Sequence, residues 1–179
     1  MTRECAGGRH WEREYRTAGA GQTQELARAL GTSLRAGDLL LLSGELGAGK
    51  TTFTQGLGEG LGVRPGIISP TFVLVRIHPS QGSGPDLVHV DAYRLASPAE
   101  IDDIDLENTM DTSVTVVEWG AGMVEHLSES RLEVTLLRAT GSPDTELVTD
   151  FSSEDDDEER IVRIAGIGPR WAAPPEQLG

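Results

Sequence analysis

Cysteine occurs once in these 179 residues, at Cys5, so no internal disulfide can form, and a reducing compartment is expected. Long apolar runs are missing as well. Residues 39–42 (LLLL), as long an uninterrupted run as any, are far too short to cross a bilayer. Residues 1–16 carry charge and polarity where a secretory signal needs a continuous apolar stretch, so a cytoplasmic location is expected. Histidine is sparse and cysteine nearly absent, and no cluster of the two suggests a transition-metal site. Positive charge is also in deficit: 15 basic residues face 29 acidic ones, a formal net charge of −14. Such a field repels polyphosphate backbones, and tight binding of nucleic acid by this chain alone is not expected.

Lysine is the scarcest charged residue. Of the 15 basic residues only Lys50 is a lysine, and all others are arginine. A compact, flexible ammonium is therefore kept at one position, where a planar guanidinium would be too bulky. The acidic excess is partly local. Asp150, Glu154, Asp155, Asp156, Asp157, Glu158 and Glu159 fall within ten residues, a run that reads as a solvated loop of about 150–159.

The length suits one domain with a single buried core. Residues 22–34 place Leu26, Ala29, Leu30 and Leu34 on one helical face. Residues 39–43 do not alternate and read as a fully buried central strand. A loop over 44–49 leads into a helix over 50–61, ended by Gly62. Further strands are expected at 71–77, 87–91, 114–118, 131–138 and 160–165, helices at 98–110 and briefly at 123–128, and a flexible loop at 79–85. Strands and helices alternate at the front of the chain, which predicts an α/β fold: a three-layer sandwich around a mixed, largely parallel central sheet, with an antiparallel end. Residues 1–16 are expected to be a flexible N-terminal segment, 17–167 the folded domain, and 168–179 a flexible C-terminal tail.

Residues 44–51 (GELGAGKT) match G-x-x-x-x-G-K-[ST], between a strand-like and a helix-like run. A chance match in a chain of this length is on the order of one per cent. In this P-loop, glycines let the backbone curl so that successive N–H groups face phosphate oxygens, and the next helix adds its positive N-terminal end. Glu45, Leu46, Gly47, Ala48, Gly49, Lys50, Thr51 and Thr52 are the candidate nucleotide-binding residues. Lys50 is expected to neutralise the β and γ phosphates and the Thr51 hydroxyl to ligate Mg²⁺.

Two apolar runs, 87–91 and 114–118, each close on an acid, Asp91 and Glu118. Ligands of open parallel sheets gather at the carboxyl ends of the strands, where both acids could reach a metal and phosphates. One would hold Mg²⁺, and the other would position or deprotonate the attacking water; spacing leaves open which does which. Residues 69–72 (SPTF) follow the P-loop by about 20 residues, where many P-loop hydrolases place a loop that senses the γ-phosphate. Thr71 is its candidate contact.

Taken in order, 44–52 (GELGAGKTT), 69–74 (SPTFVL), 89–95 (HVDAYRL) and Glu118-Trp119 resemble the TsaE family, also called YjeE, the ATPases of bacterial tRNA threonylcarbamoyladenosine biosynthesis. The resemblance runs from about residue 17 to 138. It implies a small P-loop α/β domain using ATP, with Thr51 and Glu118 as Mg²⁺ ligands, Asp91 also at the metal and phosphate site, and Thr71 in a switch-like loop. Adenine would pack near 17–22. It implies TsaB and TsaD as partners, with tRNA reached only through them, so that an acidic protein can serve tRNA modification. Two positions depart from the family pattern: Glu45, where aspartate is usual, and Asp105, where glycine is common.

Other readings are a small-molecule P-loop kinase, for which Arg94 and Arg131 are the nearest lid arginines, a GTPase, and a non-catalytic nucleotide-gated adaptor. The GTPase reading lacks the usual N-K-x-D motif, since the sole lysine is committed to phosphate.

Overall fold

In a computed structural model the described residues are 8–70, 74–139 and 158–179. Four consecutive leucines make β2 (Leu39–Gly44) apolar on both faces, and it takes the centre of a seven-stranded sheet. From edge to edge the strands run β1 (Arg9–Thr17), β7 (Arg160–Ile167), β6 (Arg131–Arg138), β2, β5 (Ser113–Glu118), β4 (Asp86–Asp91) and β3 (Val75–His78). Parallel partners flank β2: β6 on one side, and β5 followed by β4 on the other. Both edges turn antiparallel, through β3 beside β4 and through β7 and β1 beside β6.

Side chains alternate across β2 and so divide the core. Leu40 and Leu42 join Val116, Val134 and Ile164 beneath helices α1 (Ala20–Gly31) and α2 (Lys50–Leu61). Leu39 and Leu41 join Val88, Val90 and Val117 against Ile101 of α3 (Pro98–Asp103) and Met110 of α4 (Glu107–Met110). The sheet therefore lies between two helical layers, the three-layer arrangement expected from the sequence.

Several boundaries differ from expectation, each for a physical reason. Residues 9–17 are a strand and not a flexible segment, because Trp11 and Tyr15 share one face and reach the C-terminal residues. Trp11 Nε1 donates to the Trp171 carbonyl at 2.8 Å, and the Tyr15 hydroxyl to the Leu178 carbonyl at 3.1 Å. The tail is ordered by the same contacts. Trp171 and Leu178 are buried in the core under α1 and α2. The single helix expected over 98–110 is two short ones, since Asp105 between them takes φ 62°, a left-handed conformation no helix interior accepts. A capping box of Ser97 and Glu100 starts the first. Residues 79–85 are tied down: Arg64 N donates to Pro79 O at 2.9 Å, and Ser80 N to the Asp86 carboxylate at 2.7 Å. The strand expected over 71–77 is described only as β3; residues 71–73 lie outside the described residues.

Candidate phosphate-binding site

Strand β2 ends at Gly44, and α2 begins at Lys50 directly after the glycine-rich loop. The turn needs glycine at two points. Gly49 takes φ 101°, and at Gly47 (φ 77°) an added Cβ would lie 2.6 Å from Arg138 Nη2. Ala48 N donates to Glu45 O at 3.0 Å, closing the loop on itself. Lys50 curls back over it: its ammonium donates to the carbonyls of Gly44 (2.6 Å) and Glu45 (3.0 Å), and lies 4.6 Å from the centroid of the Trp119 ring. Burial lowers the Lys50 pKa below the ordinary lysine value, while the charges of Glu118 and Asp91 push it back up. An incoming anion would be received by a lysine already partly stripped of water.

Asp91 and Glu118 are register neighbours at the ends of parallel β4 and β5, and both are buried. Asp91 accepts from its own turn, Tyr93 N at 2.9 Å. After Glu118 the chain bends sharply: Trp119 takes φ 58°, an outlier for so large a residue, and its ring meets Tyr93 edge-on with centroids 5.2 Å apart.

A cavity of about 640 Å³ opens over this region, and Leu46, Gly47, Gly49, Lys50, Thr51, Thr52, Asp91 and Glu118 all line it. Eight of the residues singled out in the sequence thus converge on one space. Ala48 is buried outside that lining, and Glu45 is exposed, engaging Lys50 only through its carbonyl. Thr71 lies outside the described residues, though Ser69 of the same motif is in the wall. Ala20 and Thr23, at the start of α1, line the side where the sequence resemblance places a base.

The arginine in this cavity is not one the sequence pointed to. Arg94 and Arg131 are absent from the lining, and Arg131 instead pairs with Glu133 at 3.1 Å at the opposite end of β6. Arg160, at the start of β7, is in the wall. Arg160 Nη2 and Arg138 Nη2 both donate to the Gly47 carbonyl at 3.4 Å, and Arg160 pairs with Glu158 at 2.9 Å. No local motif marks this residue. It reaches the loop because β6 joins parallel β2 to antiparallel β7, which returns the start of β7 to the P-loop end of the sheet.

Thr51, Asp91 and Glu118 bring oxygen ligands to the cavity wall, where no His or Cys lies among the described residues, and such ligands suit a hard cation such as Mg²⁺. Among the described residues no group of three or more His, Cys, Asp or Glu could hold a metal unaided.

A central parallel strand, a glycine-rich turn, a helix that starts on lysine and two acids at neighbouring strand ends together define a P-loop NTPase-like α/β domain. Within that class the chain belongs to the TsaE family: the family profile described as "Threonylcarbamoyl adenosine biosynthesis protein TsaE" matches residues 17–146. Among its relatives, the tRNA threonylcarbamoyladenosine biosynthesis protein TsaE of Streptomyces coelicolor is 56% identical over 150 residues, covering 83% of this chain and 93% of that protein. TsaE of Bacillus subtilis is 33% identical over 166 residues, covering 92% of each. The crystal structure of Bacillus subtilis YdiB superposes with a TM-score of 0.66 at 29% identity, covering 90% of this chain and 89% of that one.

Proposed function

We propose that this protein is a Mg²⁺-dependent ATPase that supports threonylcarbamoyl modification of an adenosine in the tRNA anticodon loop, acting on a TsaB–TsaD machinery in the cytoplasm. One observation carries the reading: Lys50, Thr51, Asp91 and Glu118, drawn from three separate stretches of sequence, meet in one cavity at the carboxyl ends of the central strands. Family membership supplies the pathway. The net charge of −14 favours a division of labour in which the partners hold the tRNA.

On this reading Lys50 exchanges its two carbonyl acceptors for β- and γ-phosphate oxygens, while loop N–H groups and the start of α2 receive the remaining negative charge. Thr51 and one of the two acids would hold Mg²⁺, and the other acid would orient the attacking water. Bound there, the ion would neutralise charge across the transferred phosphoryl group. Arg160 also lies in the wall, paired with Glu158, and would favour that charge on exchanging this partner for phosphate.

Steady-state hydrolysis of Mg-ATP and Mg-GTP, alone and with TsaB and TsaD, tests the proposal, with Lys50→Ala as control. ATP-selective turnover that the partners raise and Lys50→Ala abolishes is the expected result. Binding of nucleotide and partners without any turnover would overturn the ATPase and leave a nucleotide-gated adaptor. Unchanged turnover in Lys50→Ala would remove the P-loop assignment itself.

A further inference from the structure

His89 sits one alternation below Asp91 on β4, beside Val116 in the β4–β5 register, and is fully buried. Among the described residues neither ring nitrogen has a hydrogen-bond partner. Buried polar groups left in this state are rare and disfavour folding, and on a sheet face shared with buried Leu87 and Val116 an apolar residue would pack without that cost. One acceptor lies close. Nε2 is 3.6 Å from a carboxylate oxygen of Glu118, and both side chains are essentially sealed from solvent. Across the sheet Arg76 faces His89 in the β3–β4 register, and the His78 ring lies 6.3 Å away, so positive or donor groups surround His89 on the side remote from Glu118.

At 3.6 Å the contact is not a hydrogen bond, but a movement of about 0.7 Å by the carboxylate makes it one. Among the described residues no side-chain or backbone donor forms a hydrogen bond to that carboxylate, so its rotation is otherwise governed by packing and by the charges of Lys50 and Asp91. We propose that His89 is a positioning residue for Glu118: its Nε2–H takes one carboxylate oxygen from beneath and so presents the other to the cavity. The inference rests on the reading of Glu118 as a metal- or water-ordering acid. It assigns to His89 the outer-shell task that orients ligands in many metal sites.

The test measures affinity for a non-hydrolysable ATP analogue with Mg²⁺ and with EDTA, together with thermal midpoints. The variants are Glu118→Gln, His89→Leu, His89→Gln and the double variant His89→Leu/Glu118→Gln. Expected is a loss of about tenfold or more in the advantage conferred by Mg²⁺ for His89→Leu. Its affinity in EDTA should stay at the wild-type level, and the double variant should be no worse than Glu118→Gln. His89→Gln, whose amide reaches the Nε2 position, should restore most of the advantage. A folded His89→Leu with wild-type Mg²⁺ dependence, or losses that add in the double variant, would overturn the proposal. Should His89→Leu fail to fold, His89→Gln is compared with His89→Asn, whose amide stops short of Glu118: retention in Gln with loss in Asn supports the assignment, and equal behaviour overturns it. Loss in Glu118→Gln with retention in His89→Leu removes the role of His89 alone. Retention in Glu118→Gln removes the underlying reading of Glu118 and this proposal with it.

Discussion

Lys50 shows how one side chain can be tuned by opposing forces. Burial lowers its pKa, and the nearby charges of Glu118 and Asp91 oppose that shift without cancelling it. Two consequences of opposite sign follow. Affinity for a phosphate ligand depends on the charged form, so it should fall as pH rises through the depressed pKa, at a pH where an ordinary lysine is still charged. Stability moves the other way: a folded pKa below the unfolded value means the buried ammonium costs stability at lower pH, and that cost fades as pH rises past the folded pKa. Nucleotide titrations and thermal midpoints over an alkaline pH series, with Lys50→Met as reference, check both; parallel pH profiles for the two proteins would count against the assignment. The lysine itself was legible in the sequence from its motif and its singularity. Its perturbation was not, because that depends on carboxylates 41 and 68 residues further along, set beside it by strand register.

At the scale of elements, α2 keeps the boundaries its sequence predicts, although it carries Gly56, Gly58 and Gly60, each unfavourable in a helix by about 1 kcal/mol. The reason lies in its neighbour. An added Cβ at Gly60 would lie 2.3 Å from the Arg28 carbonyl oxygen, and one at Gly56 2.4 Å from that of Gln24, both on α1. These glycines let two helix backbones touch and so hold the start of α1, with Ala20 and Thr23, against the cavity. Gly60→Ala should therefore destabilise by about 1–3 kcal/mol despite its better propensity. Gly21→Ala, in α1 with open space around it, should stabilise by roughly 0.5–1 kcal/mol. Urea midpoints of the two variants should move in opposite directions, and a rise in both would show that propensity, not helix contact, governs the pair. The break at Asp105 belongs to the same scale. The apolar pattern of 98–110 suits one helix, and only the family habit of glycine at that position hinted at the left-handed turn found there.

For the whole molecule, the two ends of the chain fold on each other. Trp171 is 1% exposed in the core under α1 and α2, and its carbonyl receives the Trp11 indole. Trp171→Ala should cost about 3–5 kcal/mol, read from a denaturation curve. A change below 1 kcal/mol would show that the terminal segment is dispensable. The net charge acts at the same scale: the protein alone should not retard tRNA in a gel at physiological salt, whereas on the proposed partnership a mixture with TsaB and TsaD should. Retardation by the isolated protein would locate an RNA site on this chain. The sequence by itself determined the central strand, the phosphate loop, the following helix and both acidic strand ends, because each is a local signal of periodicity or of residue spacing within a few positions. Tertiary structure alone decided that Arg160 enters the cavity, that His89 lies under Glu118, and that residues 9–17 and 168–179 are ordered. Those outcomes depend on which strands pair and in what register, a choice made by burying surfaces far apart in the chain.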